Sequence, residues 1–307
     1  MQSLSPVLPL RNSDRKAVGL WKISGNGLSH PSYLFGTYHG TYDILYQYTD
    51  SIPELHQAFN ACSQFAGESE TTSKPTPAQV GVAIKLPKDT TYADLLNKED
   101  FHFLDSIVRQ SLKSPLNKVY IKPNFLALIL GEIEKGKKLV DTGYSQSQID
   151  SMKSQVMDIA LEKKAKEKGL TIVGLEGIFD AFVSEKSNLK KEADELISDL
   201  REDDEISPLS FVNTLSDVYR TQNMKSLIDF EVKVDSIFRT SPKLTEIGKR
   251  IREDLLKRRN LNWMNKIPEL MKAQPTFIAV GVRHLPGKDG LIALLLEKGY
   301  QVEPIGL

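Results

Sequence analysis

The sequence predicts an α/β fold: a central, mostly parallel sheet with helices on both faces and a long helical middle. Three observations carry this. Short apolar runs end at a Gly or an acid, as in Tyr33-Leu34-Phe35-Gly36, Phe65-Ala66-Gly67-Glu68, Leu170–Glu176 and Phe277–Gly281. Between the first two lies a helix-like segment, giving strand, helix and strand over about 35 residues, the length of a βαβ unit with a right-handed crossover. A helix-like stretch closing at Gly169 leads straight into the third run, which is the second half of another parallel connection.

Residues 1–18 are polar and Pro-containing and read as a flexible tail; 19–307 reads as a single domain with a helical insertion over 92–168 and 179–272. Leu20-Trp21-Lys22-Ile23 and Tyr33-Leu34-Phe35 are strands joined through Asn26-Gly27, a hairpin signal. A helix starts at Ser51 as N-cap, with Pro53 in its first turn and Glu54 three residues on. Leu55, Ala58 and Phe59 form its apolar face, and Cys62–Ala66 is the next strand. Thr71–Thr91, rich in Thr, Pro and Lys, reads as a loop. Helix resumes from Tyr92, punctuated by Pro115 and Pro123, and Phe125–Leu130 is too apolar for a surface. Ser145–Lys168 reads as one helix stopped by Gly169, and residues 179–239 as charged helices divided by Pro208. Thr245–Lys272 reads as a further helix whose i+4 row is Ile247, Ile251, Leu255, Arg259, Trp263 and Ile267. After Pro275 come the strand Phe277–Val280, a helix over Gly290–Lys298 capped by Gly299, and a last strand, Gln301-Val302-Glu303.

Composition narrows the function. A hydrophobic fraction of 40% supports a sizeable core. Lys and Arg number 40, as do Asp and Glu, so the net charge is zero and no nucleic-acid partner is implied. The single cysteine, Cys62, excludes an internal disulfide. No apolar run reaches the roughly 18 residues of a membrane span. The N-terminus lacks the positive start and long apolar stretch of a signal peptide, which leaves a cytoplasmic protein or an exported one whose signal has been trimmed.

The chemistry concentrates in two short motifs, Gly36-Thr37-Tyr38-His39 and Gly281-Val282-Arg283-His284. One Gly-x-x-His is close to noise; two copies, each behind a strand, place two imidazoles at the carboxyl edge of a sheet, where open α/β sheets bind ligands. Glu68 and Glu176 also come after strands and converge on the same crevice if those strands are parallel. Two imidazoles and two carboxylates suit Zn²⁺, Mn²⁺ or Co²⁺. Each residue also has a plainer reading. Glu68 and Glu176 would start loops or cap helices, Asn260 would be a surface amide, and Asp158, inside a helix, would face water. Arg259 either snorkels from its apolar row or is buried and paired with an anion. His30, His56 and His102 have no strand context, and Cys62 has no basic neighbour to activate it.

The stretches LWKISGNGLSHPSYLFGTYHG, DSIPELHQAFNACSQFAGESE, RRNLNWMNKI and PTFIAVGVRHLPGKDGLIALLLEKGYQVEPI resemble the TraB/GumN family, whose eukaryotic relatives are the TIKI proteases. The resemblance covers residues 19–307 and is strongest at the two ends. The family's paired motifs match Gly36 with His39 and Gly281 with His284, its acid after the second strand matches Glu68, and its Arg-Asn matches Arg259 and Asn260. Its Leu-Glu-Thr is matched in part by Leu175-Glu176-Gly177, and Asp158 falls where the family places an acid ahead of that strand. Tyr38 and Gly40-Thr41-Tyr42 depart from the family pattern and bear on substrate choice.

The resemblance implies a fold similar to the erythromycin esterase and ChaN group, and a metal-dependent hydrolase, peptidase-like, acting on a peptide or small molecule. His39, Glu68 and His284 would hold Mn, Co or Zn. Arg259, with Asn260 beside it, would face the oxyanion, and Glu176 or Asp158 would orient a ligand or act as base. It also favours export with the signal trimmed. The alternative is a binding protein using the same crevice for haem or a small molecule without turnover; a third reading, a helical interaction module, has no specific support.

Overall fold

In a computed structural model, which describes residues 19–38, 53–70, 76–141, 143–147, 149, 156–180, 188–201, 218–219 and 224–305, six strands form one sheet. They are β1 Leu20–Gly25, β2 Ser32–Thr37, β3 Gln64–Gly67, β4 Thr171–Gly174, β5 Thr276–Gly281 and β6 Tyr300–Pro304, in the order β4-β3-β5-β2-β1-β6. β4, β3, β5 and β2 pair in parallel, and β1 is antiparallel to both β2 and β6, so β1 alone runs against the rest. The fold is α/β with a mixed, mostly parallel sheet, as the sequence predicts.

The predicted hairpin joins β1 to β2 through Asn26 and Gly27, whose φ angles of 46° and 78° are what an Asn-Gly pair supplies without strain. β2 and β3 are parallel, but β5, from the far end of the chain, lies between them. The βαβ unit read from the sequence is therefore split by a strand that local spacing could not reveal. β5 is buried along its first five residues, the near-continuous apolar run expected of a strand covered on both faces. Phe277 on β5, fully buried, meets the edge of Phe59 at 5.1 Å between ring centroids and stands 6.1 Å and 6.3 Å from Phe35 and Phe65. The helix Pro53–Asn60 buries Leu55, Ala58 and Phe59 as its pattern predicts; its expected N-cap, Ser51, lies outside the described residues, as does the tail 1–18.

The chain divides into two compact units. The first, residues 1–73, 152–178 and 207–307, holds the whole sheet together with the helices Met157–Glu167, Met224–Phe238, Pro242–Arg250, Arg258–Trp263, Ile267–Ala273 and Leu291–Glu297. The second, residues 74–151 and 179–206, is helical, with its own core of Tyr92, Leu104, Val108, Leu116, Leu126, Ala193 and Leu196. Within it the Tyr92 hydroxyl donates to the Ile121 carbonyl at 2.8 Å, which satisfies a phenol that is otherwise buried. Among the described residues no helix is long and apolar enough to cross a membrane.

Three helix boundaries differ from the sequence reading. The expected loop at Thr71–Thr91 contains a helix, Pro77–Ile84, nucleated by a capping box in which the Thr76 hydroxyl accepts from Gln79 N and the Gln79 side chain accepts from Thr76 N. Ser145–Lys168 is not one helix: Val156 is extended at ψ 131°, and Met157–Glu167 starts after it. No Gly or Pro marks that break, so nothing local announces it. Thr245–Lys272 is interrupted twice, by a π-helical segment at Ile251–Lys257 and by a turn at Met264–Lys266.

Replacing Phe277 by Ala would empty the centre of the aromatic cluster. The expected loss is about 3–5 kcal/mol of unfolding free energy, read from urea denaturation; a loss under about 1 kcal/mol would show that the cluster is not the core of this unit.

Candidate functional site

The carboxyl edge of the parallel strands gathers the residues that the sequence singles out. β2 and β5 are adjacent, with Thr37 opposite Gly281 and Gly36 opposite Val280, so the two Gly-x-x-His motifs begin one register step apart on neighbouring parallel strands. Their glycines are the positions where the motifs come close to other groups. A Cβ on Gly36 would sit 3.0 Å from Val282 Cγ2 and 3.1 Å from Leu285 Cδ2; one on Gly281 would sit 3.2 Å from Glu68 Oε1. Glycine here serves approach of backbone to side chain. His39, the end of the first motif, lies outside the described residues.

Glu68 is the first residue after β3. Its Oε1 accepts from Gly281 N at 2.7 Å and its Oε2 accepts from Arg259 Nη2 at 2.5 Å. Glu176, two residues past β4, is reached because the β3–β4 ladder continues beyond the strands: Leu175 N donates to Gly67 O and Glu176 N to Glu68 O, both at 2.9 Å. Glu176 accepts from Arg259 Nε at 2.9 Å, from Arg259 Nη2, and from Trp263 Nε1 at 3.0 Å. Arg259 thus lies between two carboxylates, with its guanidinium 4.7 Å from the centre of the Trp263 ring. Burial works against the guanidinium charge, but the hydrogen bonds and negative charges of Glu176 and Glu68 outweigh it and hold the pKa above its ordinary value.

Of the two readings open for Arg259, the paired one holds: its side chain is 10% exposed. The i+4 row does not explain why, since Leu255, one step earlier, is exposed. The π-helical segment does. There the Arg258 N–H reaches back five residues to Glu253 O, which adds a residue to the turn and rotates the next helix, Arg258–Trp263, about its axis. Arg259, Asn260 and Trp263 then face inward together.

His284 is buried on the 3₁₀ turn Val282–His284. Asn260 Nδ2 donates to the carbonyls of His284 (3.1 Å) and Asp289 (2.8 Å), which fixes the amide, so Asn260 Oδ1 accepts from His284 Nδ1 at 2.7 Å. Arg259 Nη1 lies 3.2 Å from His284 Nε2, and a guanidinium can only donate. The imidazole is therefore neutral, protonated on Nδ1, with the Nε2 lone pair turned toward the cluster. Glu68 Oε1 stands 3.8 Å from that nitrogen. The surface role weighed for Asn260 is thus replaced by a buried one.

Asp158 does not simply face water: its Oδ1 accepts from the Thr37 hydroxyl at 2.7 Å, at the end of β2. Three further contributors have a weaker sequence signal. Trp263 reads as an apolar row member, although its spacing of four from Arg259 puts both on one helix face. Tyr219 donates to Gly36 O at 2.7 Å and stacks on Tyr38 at 5.5 Å. Arg283, inside the second motif, makes a two-point pair with Glu231 at 2.6 Å and 2.8 Å, tying the turn to the helix Met224–Phe238. His30, His56 and His102 are exposed, and burial pushes the Cys62 thiol up to about 12, only partly opposed by Lys168, so it is no nucleophile near neutral pH.

Two measurements probe this geometry. Arg259→Ala strips the counter-charge from two largely buried carboxylates and should cost about 3–5 kcal/mol in urea unfolding; a near-neutral result would mean that solvent screens the cluster. In ¹⁵N-correlated NMR, His284 should show the Nδ1–H tautomer, and Asn260→Ala should release a mixture. An Nε2–H signal in the parent protein would contradict the assignment.

Among the described residues no group of three or more His, Cys, Asp or Glu side chains lies close enough to hold an ion. The expected donor set is represented by two members, His284 and Glu68, disposed toward each other. Comparison with curated proteins and with solved structures gives no match. The model of the TraB/PrgY/gumN family matches residues 19–304, a span that takes in every strand and all the residues of the sheet-edge cluster, and the chain belongs to that family.

Proposed function

We propose that this chain is a metal-dependent hydrolase of peptidase type, working at the carboxyl edge of the sheet. The observation that carries the reading is the state of His284: proton on Nδ1, lone pair on Nε2, and Glu68 Oε1 at 3.8 Å. A ligating imidazole needs an unprotonated nitrogen on one side and a hydrogen-bond acceptor on the other, and Asn260 supplies that acceptor. The electrostatics agree. Two carboxylates, Glu68 and Glu176, stand together in a partly buried site, and carboxylate oxygens favour a cation.

Mn²⁺, Co²⁺ or Zn²⁺ would be held by His284, Glu68 and His39, and when bound would polarise a carbonyl and provide a water of lowered pKa. Asn260 keeps the imidazole in its ligating tautomer. Glu176, engaged by Arg259 and Trp263, orients the guanidinium. Asp158, which accepts the Thr37 hydroxyl, takes the part of the acid that orients a ligand or receives a proton. The oxyanion role expected of Arg259 requires a substrate oxygen to share donors already given to Glu68 and Glu176; charge balance and orientation fit its contacts better.

The test is turnover of a peptide and ester panel by protein loaded in turn with Mn²⁺, Co²⁺ and Zn²⁺, alongside metal content by mass spectrometry. Chelator-sensitive hydrolysis is expected, lost by more than about 100-fold in Glu68→Gln and His284→Ala, beyond the range for outer partners of a metal site. Folded protein that takes up no metal and turns over nothing, or that takes up haem without hydrolysis, would overturn the reading.

A further inference from the structure

The site contains a positive charge already in contact with Glu68 and His284, two of the three groups assigned to the ion. Arg259 Nη2 donates to Glu68 Oε2 at 2.5 Å, and Arg259 Nη1 lies 3.2 Å from His284 Nε2. One guanidinium thus occupies the carboxylate and the imidazole lone pair at once. A metal bonds through that same lone pair, and a nitrogen lone pair accepts one partner at a time. We infer that Arg259 is a built-in counter-cation of the ligand pair, and that a divalent ion can bind His284 only when Arg259 gives up its contact with Nε2.

This inference rests on the metal-dependent reading of the site and adds that Arg259 sets the threshold for ion entry. The surroundings are arranged for such an exchange. Glu176 accepts from Nε and Nη2 and sits on the opposite side of the guanidinium, so Arg259 retains a carboxylate partner when it leaves His284. Trp263 holds Glu176 in place through Nε1 and lies beneath the guanidinium. The Trp263 and His284 rings are 4.5 Å apart, so the indole borders both the residue that withdraws and the one that is released. Without Glu176, the buried guanidinium would keep only Glu68, a carboxylate it would share with the ion; with Glu176 it keeps a carboxylate of its own, and an unpaired buried charge is avoided.

The experiment compares Mn²⁺ affinity, by titration calorimetry and electron paramagnetic resonance, in the parent protein and in Arg259→Gln, which keeps an amide donor for Glu68 and Glu176 without the charge. Circular dichroism establishes that the variant is folded. Removing a like charge within a few ångströms of the ion, together with its contact to Nε2, should tighten binding about tenfold or more. A second readout needs no Arg259 variant: in a Trp21→Phe background, Zn²⁺ should change Trp263 emission as the guanidinium shifts on its ring. Equal Mn²⁺ affinity in parent and Arg259→Gln, or Zn²⁺ binding with unchanged Trp263 emission, would overturn the inference and leave the hydrolase reading standing. Absence of binding in both proteins would sink the hydrolase reading and this inference with it.

Discussion

The arrangement at the sheet edge depends on one ionic contact, a guanidinium held between two carboxylates that come from different strands. Glu68 lies just past β3 and Glu176 just past β4, so their side chains would repel each other without Arg259 between them. The attraction is strong because little water reaches it, and the desolvation it demands is met by hydrogen bonds on nearly every side of the guanidinium. Arg259 enters from a helix late in the chain, while the acids sit early and midway. The contact therefore joins three distant parts of the first unit and orients Trp263 and His284 as it does so.

Much of the sheet was legible because its signals are local. An Asn-Gly turn, apolar runs ending in Gly, and a helix stopped by Gly169 each act within a few residues, and the strands fall where those signals put them. The insertion of β5 between β2 and β3 was not legible, since it joins segments more than 200 residues apart and no local pattern records which strand pairs with which. The break at Val156 and the helix at Pro77–Ile84 were missed for opposite reasons. The first has no breaker residue to announce it, and the second has a capping box inside a stretch whose Thr, Pro and Lys content reads as loop.

Apart from His39, which lies outside the described residues, the residues of the candidate cluster were legible more as a set than as a geometry. Glu68, Glu176 and His284 could be placed together because each comes after a strand, and a parallel sheet brings strand ends to one edge. Arg259 stood out as a charge in an apolar row, which correctly marked it as needing a partner. The row itself misled, because a fixed spacing of four assumes an unbroken α-helix. The role of Asn260 could not be read from sequence at all: an amide that reports the imidazole tautomer is recognised only once its three partners are in view.

The π-helical segment Ile251–Lys257 has no buried residue, so few of its side chains are dictated by packing. Its extra residue nevertheless sets the rotation at which Arg259, Asn260 and Trp263 emerge, since each residue of a regular helix turns the chain by about 100°. The segment is thus constrained more in length than in composition, although Ile251 packs against the core and Arg252 pairs with Asp235. Among relatives that keep the same site, it should vary readily by substitution while tolerating neither insertion nor deletion. Its signature in an alignment would be a variable block without gaps, a pattern that ordinary surface helices do not need to obey.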